Sequence, residues 1–426
     1  MAPARSFSIV VLFTFCVSNF PTLVGALSPA PFVVPIQRLV NSSTTGHNLV
    51  KAGQARFQAF NQIRSQGNGN PRELAALAPP AASLTDQIVT FTINPVIDGQ
   101  NFSLIVDTGS SNTWPGLRKI KVGANPANRL QTPISLDLFE VTYGSGAVFG
   151  QETGETVSIV PGLVVENQSL GEAIESEGFD GVDGIMGFGP VGLTQGTLPL
   201  NPLATISTVM DNLVAQGTIP NETLGVFLAP TTEEDQVNGE LSFGGIDTSQ
   251  TTGPMSFFQS TLPFWAISQS VIFGSTTIMN TTTCVVDTGT TLVLLPDDTV
   301  TAYQNLTGAT LDSTTGLLSI TEAQLESLQT LSFVGTDIDG NTQHFDLTPN
   351  AQLFPRAFNT EIGGSADGIF LIVASSGSTA ASSVGCIMGQ TFLQRTYSAF
   401  VTPSGNPGGA GTVGFATTPF TDATTN

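Results

Sequence analysis

The 426-residue chain has room for two domains, and its 40% hydrophobic and 11% charged composition fits a well-buried globular protein. Its 33 acidic side chains outnumber its 12 Lys and Arg and give a formal net charge of -21, which disfavours binding to nucleic acid phosphates. Short apolar runs rich in Val, Ile, Thr and Phe alternate with Gly, Pro, Asn and Asp, a pattern that predicts a mostly β protein.

Residues 1–26 are predicted to be a secretory signal peptide. Arg5 precedes an apolar run over residues 7–17, and a small-residue pattern ends at Ala26, which is the order of a basic region, an apolar region and a cleavage site. No later segment is long and apolar enough to predict a membrane span. We therefore expect a secreted, extracellular protein with no membrane partner.

Residues 27–82, called the leader below, differ in charge from the rest of the chain. They hold a single acid, Glu73, and five basic residues: Arg38, Lys51, Arg56, Arg64 and Arg72. From Ala81 onward, 6 Lys or Arg stand against 32 Asp or Glu, a net charge of -26. This asymmetry predicts a propeptide that docks on an acidic body, with a disordered linker as the alternative.

The body is predicted to form two β lobes, over residues 83–254 and 255–426. Strand-like alternation over residues 87–94 opens the first lobe, and residues 139–146 read as a β-hairpin with a glycine-rich tip. Helical patterns are short, with residues 206–216, 296–306 and 321–328 as the best candidates. We expect the remainder to be strand and turn.

An internal repeat centres on two aspartates. Asp107-Thr108-Gly109 and Asp287-Thr288-Gly289 each follow two aliphatic residues and precede two hydroxyl residues, which include Ser110 and Thr290. Each copy is followed downstream by an apolar-apolar-Gly step, at residues 185–187 and 387–389. Two such modules in one fold predict a buried strand that delivers an Asp to a tight turn in each lobe, with the two carboxyls face to face.

Elimination also favours carboxyl chemistry. The body's one histidine, His344, is not accompanied by a G-x-S-x-G motif, so a serine triad is not predicted. No His or Cys cluster has metal-ligand spacing, so we expect no metal and no cofactor. Two close carboxyls share a proton, so that one serves as base and the other as acid. Turn-capping aspartates and a glycoside hydrolase are the alternatives, and two Trp and three Tyr make an aromatic sugar-binding cleft less suitable.

Two cysteines, Cys284 and Cys386, remain once the signal peptide is removed. Each lies beside one of the repeated elements of the second lobe. The two cysteines could form a disulfide or remain as buried free thiols, and the sequence leaves both alternatives open. Five glycosylation sequons lie beyond the signal peptide and the leader: Asn101, Asn167, Asn221, Asn280 and Asn305.

From about Ala81 to its end, the chain resembles the pepsin-like aspartic proteases, and in particular the secreted fungal enzymes of the polyporopepsin type. The resemblance rests on the segments VDTGSSNTW, VTYGSG, GFDGVDGIMGFGP, GELSFGG, VVDTGTT and IMGQTFLQRTYSAF. It implies a bilobal fold with a cleft between the lobes and a hairpin flap above the cleft. It also implies an endopeptidase that hydrolyses polypeptides at acid pH.

The resemblance implies roles for individual residues. Asp107 and Asp287 hold the reactive water, Ser110 and Thr290 support the carboxyls, and Thr108 and Thr288 tie the loops together around Gly109 and Gly289. The flap comprises Tyr143, Gly144 and Ser145, with Trp114 beside the tyrosine. We expect a monomer whose partners are polypeptide substrates and its own propeptide. The charge asymmetry separately predicts that Lys51 or Arg56 of the leader lies at the ionised aspartates.

Two departures from pepsin are visible. Gln390 stands where pepsin has an acid, and the disulfides of pepsin's first lobe are absent. Pepsin-like proteins that bind ligands without catalysis are a further alternative, but they typically lose an Asp or distort its loop. Both loops are intact here, which favours an enzyme.

Overall fold

The structure, a computed structural model, describes residues 30–40, 46–65, 89–116, 138–144, 146–230, 237–261, 263–379, 382–403 and 410–424. The predicted signal peptide lies outside the described residues. Strands dominate the part of the chain that is described, which confirms the mostly β prediction.

The strands follow one another in short runs. The first are β1 (Phe32–Val40), β2 (Val89–Ile93), β3 (Val96–Ile97), β4 (Gln100–Asn101), β5 (Leu104–Asp107), β6 (Thr113–Pro115), β7 (Leu138–Thr142), β8 (Ala147–Val160), β9 (Leu163–Glu177), β10 (Gly184–Gly187), β11 (Thr223–Leu228) and β12 (Val237–Phe243). Then come β13 (Ser256–Gln259), β14 (Ala266–Phe273), β15 (Thr276–Val286), β16 (Val293–Leu295), β17 (Thr310–Leu311), β18 (Leu318–Ser319), β19 (Leu331–Thr336), β20 (Thr342–Leu347), β21 (Val373–Ser375), β22 (Cys386–Met388), β23 (Thr396–Val401) and β24 (Thr412–Thr417).

Helices are fewer in the described residues. They are α1 (Gly46–Ser65), α2 (Val209–Ala215), α3 (Asp297–Thr307), α4 (Glu322–Ser327) and α5 (Gln390–Leu393), with 3-10 turns at Val191–Thr194, Thr248–Gln250, Asn350–Gln352 and Arg356–Phe358. Helices α3 and α4 match their predicted patches to within one residue at each end, whereas α2 begins three residues later than its predicted patch and ends one residue earlier. Capping boxes at Thr208 and Thr321 fix where α2 and α4 begin.

Helix α1 is the longest of these helices and was not predicted. It occupies 20 residues of the leader. Its side chains Leu49, Ala52, Phe57 and Phe60 are buried and recur at helical spacing. The sequence analysis predicted only short helices, whereas the apolar period of this segment was the signal that could have found it.

A ten-stranded sheet of described residues joins the two halves of the chain. Its strand order is β13-β24-β23-β11-β12-β1-β2-β5-β10-β6, so strands from the second half pair with β11 from the first. Leader strand β1 lies inside this sheet, antiparallel to β12 on one side and to β2 on the other. The leader is therefore built into the fold by main-chain hydrogen bonds.

The predicted repeat appears as two matching three-strand units. In the first, β10 runs parallel to β5 and antiparallel to β6. In the second, β22 runs parallel to β15 and antiparallel to β16, within a seven-stranded sheet. Each apolar-apolar-Gly step thus pairs with the strand that leads to its aspartate.

Cys284 on β15 and Cys386 on β22 form a disulfide between two directly paired residues. Both side chains are fully buried. The bridge lies directly before Val285-Val286-Asp287, and it closes a loop with a sequence separation of 102. A disulfide typically stabilises a folded protein by about 2–4 kcal/mol.

The predicted flap hairpin is also present. Strands β7 and β8 pair antiparallel and are joined by a turn in which the Tyr143 N–H donates to the Gly146 carbonyl at 2.6 Å. Beneath the hairpin lies a separate apolar cluster that includes Trp114, Phe139, Tyr143 and Phe179. The main core runs continuously through the remaining sheets and α1.

Candidate active site

Two aspartates end the two matching strands. Asp107 is the last residue of β5, and Asp287 follows β15 directly. The side chains are 1% and 0% exposed, so neither is an ordinary surface carboxylate. The two matching strands therefore place both aspartate carboxylates in the interior of the protein.

Each carboxylate accepts hydrogen bonds from the same two kinds of donor, a glycine N–H and a side-chain hydroxyl. Oδ1 of Asp107 accepts the Gly109 N–H at 3.0 Å and Oδ2 accepts the Ser110 hydroxyl at 2.5 Å. Oδ1 of Asp287 accepts the Gly289 N–H at 2.8 Å, and Oδ2 accepts the Thr290 hydroxyl at 2.6 Å. The two loops thus present their carboxylates in equivalent environments.

Thr108 and Thr288 join the two loops. The backbone N–H of each donates to the hydroxyl of the other at 3.0 Å. The Thr108 hydroxyl then donates to the Val286 carbonyl at 3.1 Å, and the Thr288 hydroxyl donates to the Val106 carbonyl at 2.8 Å. Each loop is therefore tied to the strand that carries the other aspartate.

The glycines of the two loops permit this close approach. A Cβ at Gly109 would lie 2.6 Å from Oδ1 of Asp287, and a Cβ at Gly289 would overlap Oδ1 of Asp107. Any larger residue would push the opposite carboxylate away. Glycine is required here because the loops touch.

A single guanidinium from the leader bridges the two carboxylates. Nε of Arg56 donates to Oδ2 of Asp287 at 2.5 Å, and Nη2 donates to Oδ1 of Asp287 at 3.0 Å and to Oδ1 of Asp107. Because one nitrogen bonds both Oδ1 atoms, these atoms lie no more than about 6 Å apart. The charge pattern predicted a basic residue of the leader at the two aspartates. Arg56 lies there, whereas Lys51 is exposed.

These contacts shift the pKa values in directions that follow from burial and charge. Burial raises the pKa of Asp287 above its ordinary value, Arg56 opposes the rise, and the Asp107 charge adds to it. Burial alone would lower the pKa of Arg56, but the two carboxylates offset this and raise it. Arg56 is therefore a permanent cation at the centre of the site.

The flap packs against Arg56. Trp114 donates its indole N–H to the Tyr143 hydroxyl at 2.8 Å, and both rings contact Phe179 edge-on. A side chain at Gly144 would overlap the backbone of Arg56. Ser145 lies outside the described residues.

Tyr143 is more buried than expected of a hairpin tip, with 6% exposure. Burial first, and then the Asp107 charge, raise the pKa of its hydroxyl, which keeps the phenol protonated. Phe179 is a site residue that sequence reasoning missed, although it lies within a quoted motif, because a lone Phe carries no chemical signal of its own.

Gln390, noted above as a departure from pepsin, supports the second loop. Its Nε2 donates to the Thr288 carbonyl at 2.7 Å, and its backbone N–H donates to the Thr290 carbonyl at 2.7 Å. A fully buried amide thus holds the loop without adding another charge.

Other kinds of site are not formed by the described residues. Among them, no group of three or more His, Cys, Asp or Glu side chains is arranged to hold a metal ion. No helix in the same part of the chain is long and apolar enough to cross a membrane.

Comparison with known proteins agrees with this geometry. Residues 97–416 match the family model for eukaryotic aspartyl proteases. Polyporopepsin from Irpex lacteus is 44% identical over 350 residues, which cover 80% of this chain and 98% of that protein. Mouse cathepsin E is 28% identical over 65% of this chain and 69% of its own length.

A solved structure agrees as well. The crystal structure of an aspartic proteinase from Irpex lacteus superposes with a TM-score of 0.72 at 44% identity, and it covers 79% of this chain and 96% of that one. The family match spans most of the chain, and both aspartate loops lie within it. The chain therefore belongs to the eukaryotic aspartyl proteases and is a pepsin-like aspartic-type endopeptidase.

Proposed function

We propose that Asp107 and Asp287 are the catalytic pair of this endopeptidase and that the leader keeps them blocked until acid releases it. The observation that carries the proposal is the Arg56 guanidinium, which hydrogen-bonds both carboxylates at once. A group that reaches both is held where a water molecule and a substrate carbonyl need to be. The matching donors around each carboxylate support the same assignment.

The proposed reaction uses the two carboxyls as one unit with a single proton, as in other aspartic proteases. One carboxylate takes a proton from a water molecule as the water oxygen attacks the carbonyl carbon. The other carboxyl gives its proton to the carbonyl oxygen, which leaves a tetrahedral diol. Proton return to the amide nitrogen breaks the C–N bond and frees the amine and the new carboxyl group.

The surrounding residues would hold this unit in register. Ser110 and Thr290 donate to the outer carboxylate oxygens, so the inner oxygens are left to face the water. Tyr143, with Gly144 and Ser145, would close over the bound polypeptide and exclude bulk water. Trp114 fixes the Tyr143 hydroxyl by its indole N–H.

Release of the leader in acid follows from linkage between docking and protonation. Arg56 lowers the pKa of Asp287 in the docked state relative to a state without the guanidinium. Protonation of the carboxylates removes the negative charge that pairs with the guanidinium, so we expect docking to weaken as pH falls through the carboxyl pKa values. Ordinary Asp values are about 4, which gives the region of acid in which release is expected.

The proposal also covers the secretion of the protein and the division of its chain into segments. Residues 1–26 direct secretion, residues 27–82 form the propeptide, and the two lobes divide near residue 254. The Asn side chains of the five sequons are all exposed, which leaves room for glycans at Asn101, Asn167, Asn221, Asn280 and Asn305. The mature enzyme acts as an extracellular monomer.

The direct test is acid-pH hydrolysis of an unstructured protein by the activated enzyme, with and without pepstatin as a transition-state mimic. Asp107→Asn and Asp287→Asn keep the side-chain size and remove the titrating group, so each should reduce kcat by several orders of magnitude while the thermal unfolding profile persists. Undiminished hydrolysis by either variant would rule out the pair.

A further inference from the structure

The side chain of Asn61, on leader helix α1, makes three hydrogen bonds to the second half of the chain and one within its own helix. Its Oδ1 accepts the Val384 N–H at 2.8 Å and the Ser383 hydroxyl at 3.0 Å. Its Nδ2 donates to the Val384 carbonyl at 3.4 Å and to the Phe57 carbonyl of its own helix at 3.1 Å. One carboxamide thus pairs with both main-chain groups of a single residue.

The orientation of this carboxamide is determined by its partners. Two donors face one side of the group and two carbonyls face the other, so only one placement of oxygen and nitrogen pairs every donor with an acceptor. Among the described residues, both main-chain groups of Val384 find their hydrogen-bond partners in Asn61. Val384 is fully buried while the helix is docked.

Release of the leader would leave these two groups of Val384 without partners. Buried main-chain N–H and C=O groups require hydrogen bonds, and losing them costs free energy. A bound polypeptide that occupies the vacated cleft is in a position to supply them. A second leader carboxamide also contacts the second half of the chain, because Nε2 of Gln54 donates to the Ser375 carbonyl at 3.1 Å.

We propose that the Val384 main chain and the Ser383 hydroxyl form a carboxamide-binding subsite of the endopeptidase, which Asn61 fills in the precursor and a substrate fills after activation. The inference rests on the proposed release of the leader. The group it binds is an N–H beside a C=O. A substrate can present this pair from an Asn or Gln side chain or from the backbone of an extended residue.

The subsite lies close to the catalytic pair along the bound chain. Asn61 follows Arg56 by five residues, which is about 7.5 Å along a helix axis. An extended polypeptide advances about 3.3 Å per residue. The substrate residue that fills the subsite is therefore about two to three residues away from those at the carboxylates.

The first test uses the full precursor. Asn61→Leu should speed leader loss at a fixed acid pH by about two- to tenfold, because hydrogen bonds to Val384 and Ser383 are removed. Gln58→Leu, which makes the same amide-to-aliphatic change on an exposed residue of the same helix, is the control and should leave the rate unchanged. Equal rates for Asn61→Leu and wild type would contradict the contact.

The second test uses the activated enzyme and a peptide cleaved at one known bond. Each position near that bond is changed in turn to Asn, Asp or Leu, and N-methyl residues are placed at the same positions. If a side chain fills the subsite, Asn at one position should raise kcat/KM about two- to tenfold over Asp and Leu, mainly through KM. Ser383→Ala should reduce that preference, while the control Ser382→Ala, whose hydroxyl pairs with Ser378, should retain it.

The outcomes separate the possible sources. One outcome is that the enzyme shows no preference for Asn, while N-methylation at one position lowers kcat/KM and Ser383→Ala makes that loss smaller. This result would assign the subsite to the substrate backbone. Cleavage that is indifferent to both changes would overturn the subsite while leaving the catalytic pair intact. Absence of cleavage of every peptide would instead count against the proposed catalytic pair.

Discussion

Thr108 and Thr288 exchange hydrogen bonds across the centre of the molecule, with each backbone N–H donating to the other hydroxyl at 3.0 Å. Both side chains are fully buried. Because each hydroxyl also donates to the opposite strand, the two residues act as one unit that fixes the relative position of the carboxylates. The pairing explains why a threonine follows the aspartate in both copies of the repeat.

We expect Thr108→Val and Thr288→Val each to lower the free energy of unfolding by about 1–3 kcal/mol, because valine keeps the shape and leaves buried N–H and C=O groups unpaired. Each change removes the two hydrogen bonds of its own hydroxyl, and because the two residues are in contact, the loss in the double variant should differ from the sum of the two single losses. Urea unfolding of the precursor measures all three. Strict additivity would show that the residues do not act together.

The hydroxyl of Tyr143 gives a second prediction. Tyr143→Phe keeps the ring packed on Phe179 but leaves the buried Trp114 N–H without its acceptor. We expect kcat/KM to fall while the melting temperature of the activated enzyme changes by only a few degrees. The phenylalanine variant is more informative than Tyr143→Ala, because Tyr143 is buried and alanine would also remove core packing. Unchanged kinetics with a large loss of stability would make Tyr143 purely structural.

Two half-buried glutamates give a prediction for pH. Burial raises the pKa of Glu222 to about 7, and burial together with Asp247 raises that of Glu240 to about 7, from an ordinary 4.5. The folded state therefore holds protons that the unfolded state has lost, so stability is full below pH 4.5 and decreases as pH rises from 4.5 to 7. Melting temperature measured against pH should show this decline.

Glutamine variants isolate the contribution of these glutamates. Glu222→Gln and Glu240→Gln should each flatten the decline in melting temperature, because an amide does not titrate. Glu326→Gln, at an exposed position, is the control and should keep the wild-type profile. A decline that persists unchanged in the first two variants would place its origin elsewhere.

The chemistry-bearing part of the fold could be predicted from sequence because it is local and duplicated. The frames around Asp107 and Asp287 specify the strand, the turn and the hydroxyl donors within a few residues, and the structure forms both as predicted. The flap hairpin was equally accessible, since Tyr143 and Gly144 lie in a strand-turn-strand pattern. The pairing of Cys284 with Cys386 was left open and is confirmed as a disulfide.

Contacts between distant segments were less accessible. The charge pattern favoured Lys51 and Arg56 equally. The position of each residue around helix α1 decides between them, because Arg56 contacts the carboxylates and Lys51 is exposed. The contact of Asn61 with Val384 joins residues 323 apart, and neither residue carries a motif. Sequence patterns report neighbours along the chain, whereas these contacts depend on how the leader packs against both halves.

The measurement that tests the account most directly is the pH at which the leader leaves the purified precursor. Mass and hydrolytic activity are followed after steps from neutral to increasingly acid pH, for wild type, Arg56→Gln and Arg64→Gln. Arg64 is the matched control, because it lies on the same helix and carries the same charge but contacts Thr261 rather than the carboxylates.

We expect wild type and Arg64→Gln to stay latent at neutral pH and to lose the leader in acid with nearly the same midpoint. Arg56→Gln should release the leader at a distinctly higher pH, because the carboxylates no longer need to be protonated to break the ion pair. An Arg56→Gln midpoint equal to that of wild type, or a wild-type precursor fully active at neutral pH with its leader attached, would contradict the account.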